Sequence, residues 1–188
     1  GCGNGFLLEL AKKSGWTNIM GVEPSSEAIE YANPDIKTKI LNSIFEVDNY
    51  NEDYFDLVFV AMLIEHVPDI NKFLSDIYKI LKPGGKIITI CHNEKHFLSK
   101  LLKNKHPIIN DEHNYVFSPN TLKKIYHKNK FINININSLK NYYPIDYWLK
   151  MLSLPKYFKI FINKIFSKKF FKKILGIKAG NIYLIATK

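Results

Sequence analysis

Apolar positions along the chain follow two alternating rhythms. Residues 6–14 place Leu7, Leu8, Leu10 and Ala11 at helical spacing, with Gly15 as a stop. Residues 19–23 read as a short buried strand. Ser25 or Ser26 caps a helix to about Ala32, ended by Asn33-Pro34. Residues 37–41 are a weak strand. Residues 55–61 are a strong one, apolar throughout after Asp56, the pattern of a parallel strand covered on both faces. Residues 71–81 carry Phe73, Leu74, Ile77, Tyr78 and Leu81 on one helical stripe, and Lys82-Pro83-Gly84-Gly85 reads as a turn. A strand over 86–91 and a helix over 94–102 follow. Ser118-Pro119 opens a further helix to about Lys128. Residues 131–136 alternate as a strand, and 181–187 form the last one. Strands alternating with helices predict an α/β fold with a doubly wound, mostly parallel sheet.

Residues 140–178 interrupt this rhythm. Tyr147, Trp148, Leu149, Met151, Leu152 and Leu154 mark one short helix, between Pro144 and Pro155. Residues 157–166 and 168–175 are each amphipathic, but their apolar faces diverge, which predicts a break near Ser167. The segment is expected to be a basic, aromatic helical insertion before the last strand. The rest, 1–139 and 179–188, would form the core domain.

Charge sharpens that division. The 188 residues carry a net charge of +10, and every basic residue is lysine. Residues 1–139 are neutral overall, whereas 140–178 hold ten lysines against Asp146 alone. A nucleic-acid partner is not expected, because such surfaces favour arginine, whose guanidinium pairs with phosphate in a bidentate way. The insertion is either a helical pair on the sheet with solvated lysines or an interfacial element facing an anionic membrane. No uncharged apolar run approaches the ~18 residues of a membrane span. Cys2 and Cys91 are too few for a disulfide framework or a thiolate metal site. With no cationic leader, the expected location is cytoplasmic, with peripheral contact at the inner face of the membrane open.

Chemistry concentrates at strand ends. Gly1-Cys2-Gly3-Asn4-Gly5 is a glycine loop opening a helix, where the backbone can approach a ligand and offer free N–H groups. Such a loop normally follows a strand, so the chain reads as amino-terminally truncated. The next strand ends in Glu23, placed where an acidic side chain can accept both hydroxyls of a ribose. Each feature alone is also an ordinary turn or helix-start carboxylate; the pair at this spacing favours a nucleotide-type cofactor. A nicotinamide site would want a third glycine beyond Gly5, where the chain has Phe6-Leu7-Leu8.

The order of these motifs resembles the class I S-adenosylmethionine-dependent methyltransferases, in particular the small-molecule type that includes ubiquinone, sugar and lipid methyltransferases. The resemblance rests on Gly1 to Gly5, Gly21-Val22-Glu23-Pro24-Ser25, Phe55-Asp56-Leu57-Val58, Leu63 to Asp69 and Leu81 to Gly85. It continues with His113 to Phe117, Ser118 with Leu122, and Gly180 to Leu184. It implies a Rossmann-like fold lacking its first strand, S-adenosylmethionine as cofactor and a small-molecule acceptor methylated on O or N. By the same resemblance Gly1, Cys2, Gly3 and Gly5 would wrap the methionine part, Glu23 the ribose, and Pro24 and Ser25 would flank the adenine. Asn42-Ser43-Ile44 stands where the family usually has Gly-Asp, so Asn42 or Ser43 would replace the missing aspartate. Ala61, Met62 and His66 would complete the cofactor wall.

His92 and His113, beyond strand ends, are the candidate catalytic bases; His96 is a further one. Metal binding is not expected. The fourth-strand exit reads Ala61-Met62-Leu63-Ile64 rather than the Asn/Asp-Pro-Pro-aromatic run of nucleic-acid methyltransferases. The alternative to an enzyme is a non-catalytic methyltransferase-like module acting through its basic segment. The sequence leaves the oligomeric state open.

Overall fold

The computed structural model describes residues 1–95, 113–151, 157 and 167–188. Gly5, in the left-handed region at φ 74°, turns the glycine loop into helix α1 (Phe6–Lys13). Strand β1 (Gly21–Val22) follows and pairs in parallel with β2 (Ile40–Leu41). Between them lie α2 (Ser26–Glu30), whose Ala28 N–H donates to the Ser25 hydroxyl at 3.1 Å, and α3 (Pro34–Lys37). The chain then enters β3 (Phe55–Ala61), α4 (Ile70–Ile80) and β4 (Leu81–His92). Helix α5 (Pro119–Lys128), opened by a reciprocal cap between Ser118 and Thr121, precedes β5 (Ile132–Ser138). Strand β6 (Asn141–Pro144), helices α6 (Ile145–Met151) and α7 (Lys168–Phe171), β7 (Ile174–Ile177) and β8 (Asn181–Thr187) complete the described elements.

The main sheet has the order β3-β4-β8-β5. β3 and β4 run parallel, and β8 returns antiparallel between β4 and β5. Strands β6 and β7 pair separately as an antiparallel ribbon. Leu74 and Ile77 of α4, Leu81 and Ile87 of β4, Leu122 and Tyr126 of α5, and Leu184 of β8 pack into one buried cluster. Burying each such side chain contributes ~1.5–3 kcal/mol. The Tyr126 hydroxyl finds its partner inside that core, on Thr89 of β4.

Most expected elements lie within a residue or two of their places, and four differ. First, Asn33-Pro34 starts a helix as well as ending one, because the Asn33 side chain accepts Asp35 N–H and proline sits at the first helical position. Only Ile40–Leu41 of the expected 37–41 strand remains. Second, Lys82 to Gly85 is a bulge inside β4 rather than a turn before it: the register jumps from Phe55↔Leu81 to Leu57↔Lys86. A Cβ on Gly85 would lie 2.8 Å from the Lys82 carbonyl oxygen, so glycine is required there. Third, among the described residues β3 pairs only with β4, and Phe59 is 40% exposed rather than covered. Fourth, the 140–178 segment carries the β6–β7 ribbon besides its helices. Asn141-Tyr142-Tyr143-Pro144 is too short to show a period, and its partner lies some thirty residues on. The expected 94–102 helix beyond Lys95, His96, Pro155 and the 157–166 amphipathic stretch except Tyr157 lie outside the described residues.

Candidate functional site

The predicted residues gather in two neighbouring groups at the carboxyl ends of β1, β3 and β4. The first is built around Glu23, which leaves β1 with its side chain largely buried, at 8% exposure. One carboxylate oxygen accepts the Gly3 N–H at 2.8 Å and the other the Ser25 N–H at 2.9 Å. The carboxylate thus binds the glycine loop and the α2 cap to the same strand end. Each of its oxygens has a second lone pair that no other hydrogen bond among the described residues uses, and the Gly1 amino group lies 4.0 Å from the oxygen that takes the Gly3 N–H. Cys2 N–H donates to the Val22 carbonyl at 2.9 Å, which lays the loop along the end of β1.

Gly3 has φ +56°, and a Cβ built there would meet nothing within 4 Å. The loop therefore offers an open cradle that only glycine enters without backbone strain. Gly5 is glycine for another reason: at φ +74° a Cβ there would run into the Ile36 side chain. The Cys2 side chain turns inward, with Sγ 2.6 Å from where a Cβ on Gly21 would stand. Burial pushes the Cys2 thiol up, which keeps it protonated.

Asn42 spans the two strand exits. Its amide nitrogen donates to the carbonyls of Glu23 and Pro24, each at 3.0 Å, which leaves its side-chain oxygen available as an acceptor. The Ser43 hydroxyl is turned onto the Ile44 carbonyl at 2.8 Å, and the Ile44 side chain is exposed. On the other flank, Leu63 lies 3.3 Å from a Cβ placed on Gly1, so the exit of β3 abuts the glycine loop. Ala61 is half-buried and Met62 exposed, the latter in the left-handed region at φ 50°, a strained backbone for a side chain of its size.

The second group is a histidine cluster from three segments. The His66 and His113 ring centroids are 4.7 Å apart, and those of His92 and His113 are 5.8 Å apart. Glu65, only 2% exposed, holds these segments together. One of its carboxylate oxygens accepts the His92 N–H at 2.8 Å. Its carbonyl accepts the N–H groups of Asn114 at 2.8 Å and Tyr115 at 3.2 Å. Asn114 returns a side-chain bond to the His66 carbonyl at 2.9 Å, and the Tyr115 hydroxyl donates to Pro68 at 2.9 Å. Beside Glu65, burial first and the carboxylate second push the Cys91 thiol far up, so it is inert at neutral pH.

The structure thus brings Gly1, Gly3, Glu23, Ser25 and Asn42 together in one group and His66, His92 and His113 in another. His66 N–H donates to the Leu63 carbonyl at 2.9 Å, which links the two. Cys2 and Ser43 turn their polar atoms onto their own neighbourhood. Sequence reasoning missed Asn114 and the tie made by Glu65, since only the folded loops show which backbone groups meet. It also missed Asn181, whose side chain meets His92. Among the described residues no cluster of histidine, cysteine and carboxylate side chains could hold a metal ion. A cavity of about 230 Å³ beyond the end of α1, lined by Lys12, Trp16, Asp35 and Lys39 among others, contains none of these residues.

Comparison with known proteins points in one direction. The profile of a family described as a methyltransferase domain matches residues 1–135. The ubiquinone biosynthesis O-methyltransferase of Rattus norvegicus mitochondria is 31% identical over 103 residues, covering 50% of this chain and 30% of that protein. The enzyme of the same name from Coxiella burnetii is 32% identical over 105 residues, covering 52% and 44%. The chain therefore spans less than half the length of these relatives. Among solved structures, an S-adenosylmethionine-dependent methyltransferase from Archaeoglobus fulgidus superposes over all of this chain and 83% of its own, with a TM-score of 0.67 and 23% identity. That likeness shows the Rossmann-like α/β fold.

Proposed function

The chain belongs to the methyltransferase domain family, and on that premise we propose that it transfers a methyl group from S-adenosylmethionine to a small-molecule acceptor, on oxygen or nitrogen. The observation that carries this reading is the Glu23 carboxylate, which joins the glycine loop to the end of β1 and keeps a lone pair on each oxygen. The open space at Gly3 is where a ligand would lie against backbone. These residues fit the cofactor.

S-adenosylmethionine supplies, when bound, an electrophilic methyl group on a sulfonium. Glu23 would accept the ribose hydroxyls, and Gly1, Cys2, Gly3 and Gly5 would hold the methionine end. Pro24 and Ser25 would flank the adenine, with Asn42, Ser43 and Ile44 beside it and Asn42 or Ser43 as its polar partner. Ala61, Met62 and His66 would complete the cofactor wall. His92 or His113 takes the proton from an acceptor hydroxyl, while the packed loops exclude water and align the reacting groups. Positioning of this kind can lower a barrier by ~7–11 kcal/mol.

The reading divides the chain into a cofactor-binding core, 1–139 and 179–188, and an insertion, 140–178, that shapes the acceptor side. A quinone, sugar or lipid-linked intermediate suits that arrangement, and the two ubiquinone biosynthesis O-methyltransferase relatives favour methylation on oxygen. No described helix is long and apolar enough to cross a membrane. Peripheral contact with an anionic membrane is favoured by exposed Tyr142, Ile174 and Leu175 beside exposed Lys169, Lys172 and Lys173. Salt-sensitive co-sedimentation with anionic but not neutral vesicles is its test.

The central experiment follows labelled methyl transfer from S-adenosylmethionine to a panel of phenols, sugars and amines. Turnover with a hydroxyl acceptor, lost in His92→Ala or His113→Ala, is expected. Absence of both S-adenosylmethionine binding and turnover on any acceptor would favour the non-catalytic module acting through its basic segment.

A further inference from the structure

The antiparallel pairing of β4 and β8 sets Asn181 directly opposite His92. The His92 Nδ1 lies 2.9 Å from the Asn181 side-chain oxygen. The amide nitrogen at the other end donates to the Asn141 side-chain oxygen at 3.3 Å, so the oxygen is the atom turned to His92. An amide oxygen has no proton to give, so the proton between the two groups belongs to His92 Nδ1. A neutral imidazole with its proton on Nδ1 carries its lone pair on Nε2. The backbone beneath the ring is equally constrained: His92 N–H is held by Glu65, and Asn93 N–H donates to the Gly180 carbonyl at 2.7 Å.

We propose that Asn181 is a positioning residue that locks His92 in the Nδ1–H tautomer, making Nε2 the atom that accepts the acceptor's proton. The inference rests on the reading of His92 as the base. In the step concerned, the acceptor O–H bond breaks with its electron pair left on oxygen, and the proton forms a new N–H bond at Nε2. The Nδ1–H remains on Asn181 throughout, so the imidazolium is held by the same contact as the neutral ring. Asn141, the first residue of β6, completes the chain. The 140–178 insertion therefore begins by orienting the side chain that orients the base.

The groups around His92 set the terms of the test. They are the Glu65 carboxylate at its backbone, the His113 ring with His66 behind it, the neutral amides of Asn181 and Asn141, and Glu94 two residues on. Of these only the Asn181 amide bonds Nδ1 among the described residues. Replacing it by a carboxylate of the same shape adds a negative charge at hydrogen-bond distance, which favours the imidazolium. Replacing it by an apolar group removes the tautomer lock.

Nitrogen-15 NMR of the histidine-labelled chain, without cofactor or acceptor, reads the tautomer directly, with His92→Gln assigning the signal. The expected wild-type result is a neutral His92 protonated at Nδ1. Asn181→Asp should keep that tautomer and raise the His92 titration midpoint by about one pH unit, a tenfold change in proton affinity. Asn181→Leu should move the neutral ring toward the Nε2–H form. In turnover, Asn181→Leu should lower kcat with KM little changed, and Asn181→Asp should shift the rising limb of the pH profile by the same interval as the NMR midpoint. A wild-type His92 protonated at Nε2, or an unchanged midpoint in the near-isosteric Asn181→Asp, would overturn the proposal. Because the NMR arm needs neither cofactor nor acceptor, it fails independently of the methyl-transfer reading.

Discussion

The two halves of the candidate site are built in opposite ways. Around Glu23 there is little structure: β1 and β2 have two residues each, and α1 buries none of its side chains. What fixes the geometry there is a carboxylate bonded to two backbone N–H groups and an asparagine bonded to two carbonyls. Around His92 the site stands on the ends of β4 and β8, whose Ile87 and Leu184 are wholly buried, with α4 and α5 packed against them. In the first half the candidate recognition residues are themselves the ties that hold the loop; in the second they stand on a packed core.

The sharpest way to break this contrast is truncation in each half. Leu74→Ala or Leu184→Ala empties a fully buried position and should cost ~2–5 kcal/mol of unfolding free energy. Leu10→Ala, on the exposed face of α1, should cost less than ~1 kcal/mol by denaturant titration. Similar losses from the two would show that α1 is part of the same cooperative core.

Glu65 lies between these extremes. Glu65→Ala strands the His92 N–H in a buried place and should cost ~1–3 kcal/mol, whereas Glu65→Gln retains an acceptor oxygen and should cost less. Equal losses would mean that the carboxylate's bond to His92 is not what matters.

A smaller effect follows from the core's buried acids. Burial pushes both the Cys91 thiol and the Tyr126 hydroxyl up from their ordinary values. The folded state then holds protons that the unfolded chain releases. This contribution is full below about pH 9, where the unfolded thiol is still protonated, and is lost as the pH rises further. Cys91→Val should flatten the first part of that decline, between about pH 9 and about pH 10. An identical pH dependence in the variant would count against a buried, protonated thiol.

What was legible in the sequence follows the same division. The positions of the glycine loop, Glu23 and the histidines could be read because they follow from local chain geometry and from their place after a strand. The α4 stripe was legible because a helix of eleven residues displays its period. The β6–β7 ribbon was not, since strands of four residues, one of them ending at a proline, show none. Nor was the Asn181–His92 contact, because strand register pairs residues 89 apart in sequence, and one residue of slip would have turned Asn181 to the other face. The bulge over Lys82 to Gly85 contains the residues of a turn, and only the continued pairing on both sides makes it part of a strand.

Calorimetric titration of S-adenosylmethionine into the chain and into its Glu23→Ala variant tests the account most directly. Saturable binding by the unaltered chain and at least tenfold weaker binding by the variant, about 1.4 kcal/mol, are predicted. The variant's unfolding free energy should fall by less than that of Leu74→Ala. No binding by the unaltered chain, or equal affinities in the two, would contradict the assignment of this cradle to the cofactor.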